Sequence, residues 1–210
     1  MGLYLILRRV STLLVAVLAV SATTAFACDR PAGAPAAVDP ARSKQAALSQ
    51  AILAEVNHAR CQSGLRALGQ APQTLLSSAT AHSDWMAGAR TLSHRGRGAS
   101  GRTLRDRLNS ARVPVRAASE NIAQLPRYAF GTRQFRVVDR RSCQFADARG
   151  RTIPAHSYGS LAQRVVALWL ASPGHRRNVL DRSVTTMAAG TAFSASDTCG
   201  DFWITQIFVG

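Results

Sequence analysis

The first 27 residues constrain this chain most, because they decide the compartment in which the rest folds. Arg8 and Arg9 precede an apolar run from Val10 to Val20, and Ala25-Phe26-Ala27 is a small-x-small cleavage pattern. That is the form of an export signal, too short and wrongly flanked for a membrane-spanning helix. The mature chain is therefore expected to be secreted, extracellular or periplasmic, with no transmembrane segment and with its thiols oxidised. Its four cysteines, Cys28, Cys61, Cys143 and Cys199, have no cysteine neighbour at zinc-finger spacing. Three connectivities are open to four cysteines. The favoured one is Cys28–Cys61 with Cys143–Cys199, the second tying an inserted hairpin to the last one. Cys28 directly follows the cleavage site, so lipid anchoring there is the alternative. Ala25 in place of the usual Leu, and the odd thiol that would be left, weigh against it.

Losing Arg8 and Arg9 with the leader lowers the formal charge from +15 to +13, and with Lys44 the single lysine, that charge is almost wholly arginine. Such charge reads either as an ordinary solvated basic surface or, more sharply, as one that attracts anionic polymers or headgroups. No aromatic stripe interleaves the arginines and no nucleic-acid motif is present, so nucleic acid is not an expected partner.

Residues 28–47 read as a linker or lead-in, small and proline-rich at first. Asp39 then caps and Pro40 opens a long helix that Gly64 ends, with Leu48, Ile52, Leu53, Val56 and Ala59 at helical spacing. A second helix is expected over about 73–90, with Leu75, Leu76, Ala79, His82 and Met86 on one face and Trp85 in the core. His82 reads as a core histidine with one backbone partner. Thr103 and Asp106 form a capping box for a third helix that Pro114 stops. Ser119 to Ala123 reads as a turn feeding a helical segment or short strand. An insertion of two or three short strands over about 125–158 turns at Asp147-Ala148-Arg149-Gly150. A fourth helix follows from Ser160, and two strands close the chain, Thr185–Ala195 and Asp201–Val209.

Three short polar runs carry the chemistry. His94 lies in a glycine-rich loop. Glu120, one of only two glutamates, lies in Ser119-Glu120-Asn121. His175 follows Ser172-Pro173-Gly174, where the serine hydroxyl caps, proline takes the first helical position and glycine allows a close backbone approach. Two imidazoles and a carboxylate can bind Zn²⁺, hold a water for general-base work, or form a hydrogen-bonded cluster. Arg95, Arg97, Arg176 and Arg177 flank the histidines; they either fan into solvent or, pointing inward, would favour an anion over a dication.

The order Asn57-x-x-Arg60, Ala81-His82-x-x-x-Met86, Ser93-His94, Glu120-Asn121-Ile122-Ala123 and Trp169-x-x-Ser172-Pro173-Gly174-His175-x-x-Asn178 resembles the CAP superfamily, closest to its bacterial secreted members. The resemblance runs from about Leu48 to Val209. It implies an α+β fold, a three-layer α-β-α sandwich over residues 48–210 with the inserted hairpin. It also implies a cleft holding His94, His175 and Glu120, in which the histidines can bind a divalent metal. Family members often carry a second glutamate three residues after the tryptophan, where this chain has Ser172, so the ligand set is incomplete. Zinc, if taken, would sit in a weak two-histidine site.

Three functions are consistent with these residues. The first is a binding module for an anionic or lipidic cell-envelope ligand, or a divalent metal, with Arg95, Arg176, Arg177 and Asn178 as ligand contacts. The second is a metal-assisted hydrolase or peptidase with Glu120 as general base beside His94 and His175. The third is a non-catalytic interaction protein in which the three residues only pin loops together.

Overall fold

A computed structural model describes residues 28–33, 35–38, 40 and 45–210. The export segment and the Asp39 cap lie outside the described residues.

The final strand explains the architecture. In β6 (Asp201–Val209), Phe202, Ile204 and Phe208 join one apolar cluster while Trp203, Ile207 and Val209 join those on the opposite face. Side chains alternate across a strand, so a strand apolar at both parities needs a layer on each side. The sheet runs in the order β1 (Gly69–Gln70), β5 (Thr186–Ser194), β6, β2 (Ala118–Pro126). β5 and β2 are antiparallel to β6, and β1 is parallel to β5. On one face pack α1 (Gln45–Gln62) and α4 (Tyr158–Ala171), with Leu48, Ile52, Val56, Leu161, Val165 and Trp169 buried. On the other lie α2 (Gln73–Ala89) and α3 (Leu104–Ala111). The protein is an α-β-α sandwich. Among the described residues no helix is long and apolar enough to cross a membrane.

Both disulfides form as paired above, Cys28–Cys61 and Cys143–Cys199. The lead-in is no free linker. Cys28 is tied to α1, the Val38 amide donates to His156 O at 3.0 Å, and Val38 is fully buried in the main core.

Several boundaries differ from the sequence expectation. Pro40 stands in a turn, and the described first helix starts at Gln45. α3 ends at Ala111 with Arg112 in the left-handed region (φ 53°), before Pro114 is reached. Ser119–Ala123 is neither turn nor helix entry but the middle of β2, because β6 supplies a continuous partner from Ala118↔Val209 to Pro126↔Asp201. Gln124 to Pro126 accordingly belong to the sheet. β3 (Phe135–Asp139) and β4 (Gln144–Asp147) form a separate hairpin, and the expected turn at 147–150 returns the chain so that Thr152 bridges Ala146. α4 starts at Tyr158, since Ser157 is the cap and Ser160 closes the capping box. Trp85 is half-buried rather than core.

Candidate functional site

β2 is the free edge of the sheet, and its period of two sends neighbouring residues to opposite layers. Glu120 shares parity with Ile122 and faces α2 and α3. Asn121 shares parity with Ala123 and faces the α4 layer. The dipeptide Glu120-Asn121 thus organises both sides of one edge.

On the Glu120 side, buried Arg107 of α3 grips the carboxylate through two parallel bonds, Nε to Oε2 and Nη2 to Oε1, both 2.8 Å. Arg107 Nη2 also donates to His94 O at 2.8 Å, and Nη1 to Ser100 O at 3.1 Å. One guanidinium therefore anchors both the glutamate and the loop that carries His94. The His94 ring places Nδ1 2.8 Å from Glu120 Oε1 and keeps its side chain 53% exposed. With Nδ1 committed to the carboxylate, Nε2 is the nitrogen left for a ligand.

His82 braces this arrangement from beneath. It is fully buried, with Nε2 2.9 Å from Ser93 O and Nδ1 3.5 Å from Arg107 Nη1. A carbonyl only accepts and a guanidinium only donates, so the proton belongs on Nε2 and the ring is neutral. Burial, and then the neighbouring Arg107 charge, push its pKa from 6.5 down to about 4. The core role expected for His82 is what the structure shows. The loop reaches this depth because residue 96 is glycine. A Cβ there would collide with Ser100 Oγ and lie 3.0 Å from His82 Nδ1.

On the other side, α5 (Pro173–Val179) presents His175 at the same edge. Asn121 Nδ2 donates to His175 O at 3.3 Å and to Gln206 Oε1 at 3.0 Å. Asn178 Nδ2 donates to Asn121 Oδ1 at 2.8 Å and to Glu120 O at 3.3 Å, covering a carbonyl on the open edge of β2. Arg60 fastens the far end of α5 by donating to Val179 O at 2.9 Å and Asp181 O at 2.7 Å. Trp169 Nε1 donates to Ile122 O at 3.1 Å. The His175 imidazole is held below its ordinary pKa by partial burial and then by the charge of His94.

Some expected roles change. Ser172 makes no side-chain cap, although Pro173 does open α5. Gly174 meets only the end of Arg177, at 3.9 Å, and permits no close approach. Asn178 spends its donors on the scaffold and acts as a fastener. The four flanking arginines separate. Arg176 and Arg177 lie exposed on α5, whereas Arg95 and Arg97 line a cavity of about 910 Å³ with Arg102 and Trp85, to which His94, Glu120 and His175 do not contribute. Arg107 was not singled out from the sequence. The signal was there. Leu104, Arg107, Leu108 and Ala111 fall at the i, i+3, i+4, i+7 spacing of one helix face, and an arginine on an inward face needs a buried anion.

The family's metal can be tested against these donors. A catalytic zinc takes three protein ligands and a water. Both Glu120 oxygens are engaged by Arg107 and His94, and among the described residues no group of three or more His, Cys, Asp or Glu can hold a metal ion. His94 Nε2 and the His175 ring are what remain, and they do not fit a resident three-ligand zinc.

A family model, the cysteine-rich secretory protein family (CAP), matches residues 53–208. Among solved structures the chain is similar to an extracellular protein containing an SCP domain from Bacillus anthracis str. Ames, with 24% identity and TM-score 0.50 over 80% of this chain and 41% of that one. It is also similar to an outer surface protein from Borrelia burgdorferi, with 15% identity and TM-score 0.49 over 76% of this chain and 90% of that one. The chain spans about two fifths of the length of the Bacillus protein, and the likeness concerns the fold. No curated protein matches it.

Proposed function

The chain belongs to the cysteine-rich secretory protein (CAP) family, and from that premise we propose that it is an exported binding module for an anionic group. The ligand class is a phosphate or carboxylate borne by a cell-envelope component or lipid headgroup. It is held along the edge of β2, by His94 on one side and by His175 with the exposed Arg176 and Arg177 of α5 on the other. The observation that carries this reading is the Arg107–Glu120 pair. Both carboxylate oxygens take part in a buried ion pair and Oε1 also meets His94, so turning Glu120 to a catalytic water would disturb that pair. Its charge is also cancelled on the spot, which leaves the exposed arginines of α5 to set the sign of the surrounding field.

The test is calorimetric titration of the disulfide-intact mature chain with inorganic phosphate and, separately, with zinc chloride. The R176A/R177A variant is expected to bind phosphate at least about fivefold more weakly, with a smaller dependence on ionic strength. Unchanged phosphate binding in that variant, or zinc bound tighter than about micromolar and lost in both H94A and H175A, would overturn the reading in favour of a metal site.

A further inference from the structure

We infer that the cavity between α2 and the His94 loop is a second binding site, one that takes a ring-bearing polyanion such as an acidic sugar or a nucleotide. It goes beyond the α5 face and shares none of the residues proposed to bind there.

The cavity is an open one of about 910 Å³, lined by Trp85 on α2 and by Arg95, Gly96, Arg97 and Arg102 on the loop. That volume lies near the top of the range for small-molecule sites and far exceeds what a bare inorganic anion fills. Three exposed arginines of one loop line it, and none makes an ion pair among the described residues. Like charges around one pocket without counter-ions repel, and a ligand with two or more negative charges relieves that repulsion while accepting forked hydrogen bonds.

Trp85 supplies the rest. Its ring stacks on His82 with centroids 5.7 Å apart and planes within 5°. His82 is itself held by Ser93 O and Arg107, so this wall of the cavity is fixed before any ligand arrives. With one face against His82, the tryptophan offers the cavity its opposite face or its edge. Such a surface takes the flat face of a sugar or base and discriminates against a ring-less anion. The wall rests on the buried network that positions Glu120 and His94, yet neither residue lines the cavity.

The experiment is fluorescence titration of the disulfide-intact chain with three probes: digalacturonate, adenosine diphosphate and inorganic phosphate. One ring-bearing probe is expected to bind at least about tenfold more tightly than phosphate, and which one it is separates the sugar from the nucleotide source. That binding should fall about tenfold or more in R95A/R97A/R102A and in W85A, and be largely kept in W85F, where an aromatic face remains. Near-ultraviolet circular dichroism checks that each variant is folded. Equal affinity for all three probes, no binding by either ring-bearing probe, or full retention in the triple arginine variant would overturn the inference. So would a loss confined to R176A/R177A, which would assign the signal to the α5 face.

Discussion

Arg107 meets Glu120 through both carboxylate oxygens at 2.8 Å, and the pair is sealed between α3 and the edge strand of the sheet. The same guanidinium holds the backbone of His94. The candidate site is therefore built around a neutralised carboxylate.

Arg107→Met should destabilise the fold by about 3–5 kcal/mol, because it strands a buried carboxylate rather than merely losing a contact. Adding Glu120→Gln should return part of that loss. Urea denaturation of the two single variants and the double variant measures the coupling. Additive effects would show that the pair is not the unit described here.

Stability should fall with acidity through His82. Above pH 6.5 the ring is neutral whether the chain is folded or not, and its contribution is complete. Between pH 6.5 and about 4 the unfolded chain takes up a proton that the folded one refuses, so stability is lost across that window, by roughly 3 kcal/mol at most. Below about 4 this loss levels off. His156 and His175 are shifted in the same direction, so His82→Gln should flatten the thermal-melting pH profile only in part. An unchanged profile would contradict a buried neutral His82.

Gly190→Ala should cost about 3 kcal/mol or more, since the added methyl would fall on the Ala79–Thr80 backbone of α2 and the helix would have to lift from β5. Displacing α2 also displaces His82, so the variant should lose the low-pH behaviour described above. Thermal melts at pH 7 and pH 5 test both effects together.

Replacing Cys143 and Cys199 by serine removes the tether between the β3–β4 hairpin and the β5–β6 loop. The two cysteines are 56 residues apart in sequence, and closing a loop of that length is worth about 4 kcal/mol in the chain-entropy account. The hairpin otherwise rests on a small cluster of Phe130, Phe145 and Ile153. Limited proteolysis should cut the variant within 132–151 while its helical circular dichroism persists. Cleavage spread through the sandwich would mean that the hairpin is integral to the core.

Much of this fold was legible because the signals were local. The apolar spacing of Leu75, Leu76, Ala79 and Met86 places α2 within a residue of its true bounds, and the Thr103–Asp106 box starts α3 where expected. The terminal strand was read from Asp201 to Val209, and that is its extent. Glu120-Asn121 misled because its polar side chains read as a turn, while the hydrogen bonds that make it a strand come from β6, some 85 residues away. Ser157, not Ser160, caps α4 for a related reason: either serine suits the role, and the preceding chain is already held there by the Ala37↔Ser157 bridge.

What the sequence by itself determined was most of the helices, the terminal strand pair and the candidate residues, since periodicity, capping and motif order are properties of neighbours along the chain; the cysteine pairing it only favoured, and the packed layers fixed it. What only the tertiary structure decided was which charges cancel. Arg107 is thirteen residues from Glu120 and looks like one arginine among many, yet burial on α3 gives it the glutamate as partner. Arg95 and Arg176 each flank a histidine in sequence, yet one lines a separate cavity and the other lies on α5. A side chain's electrostatic partner is set by distance and by the exclusion of water, and both exist only once the layers have packed.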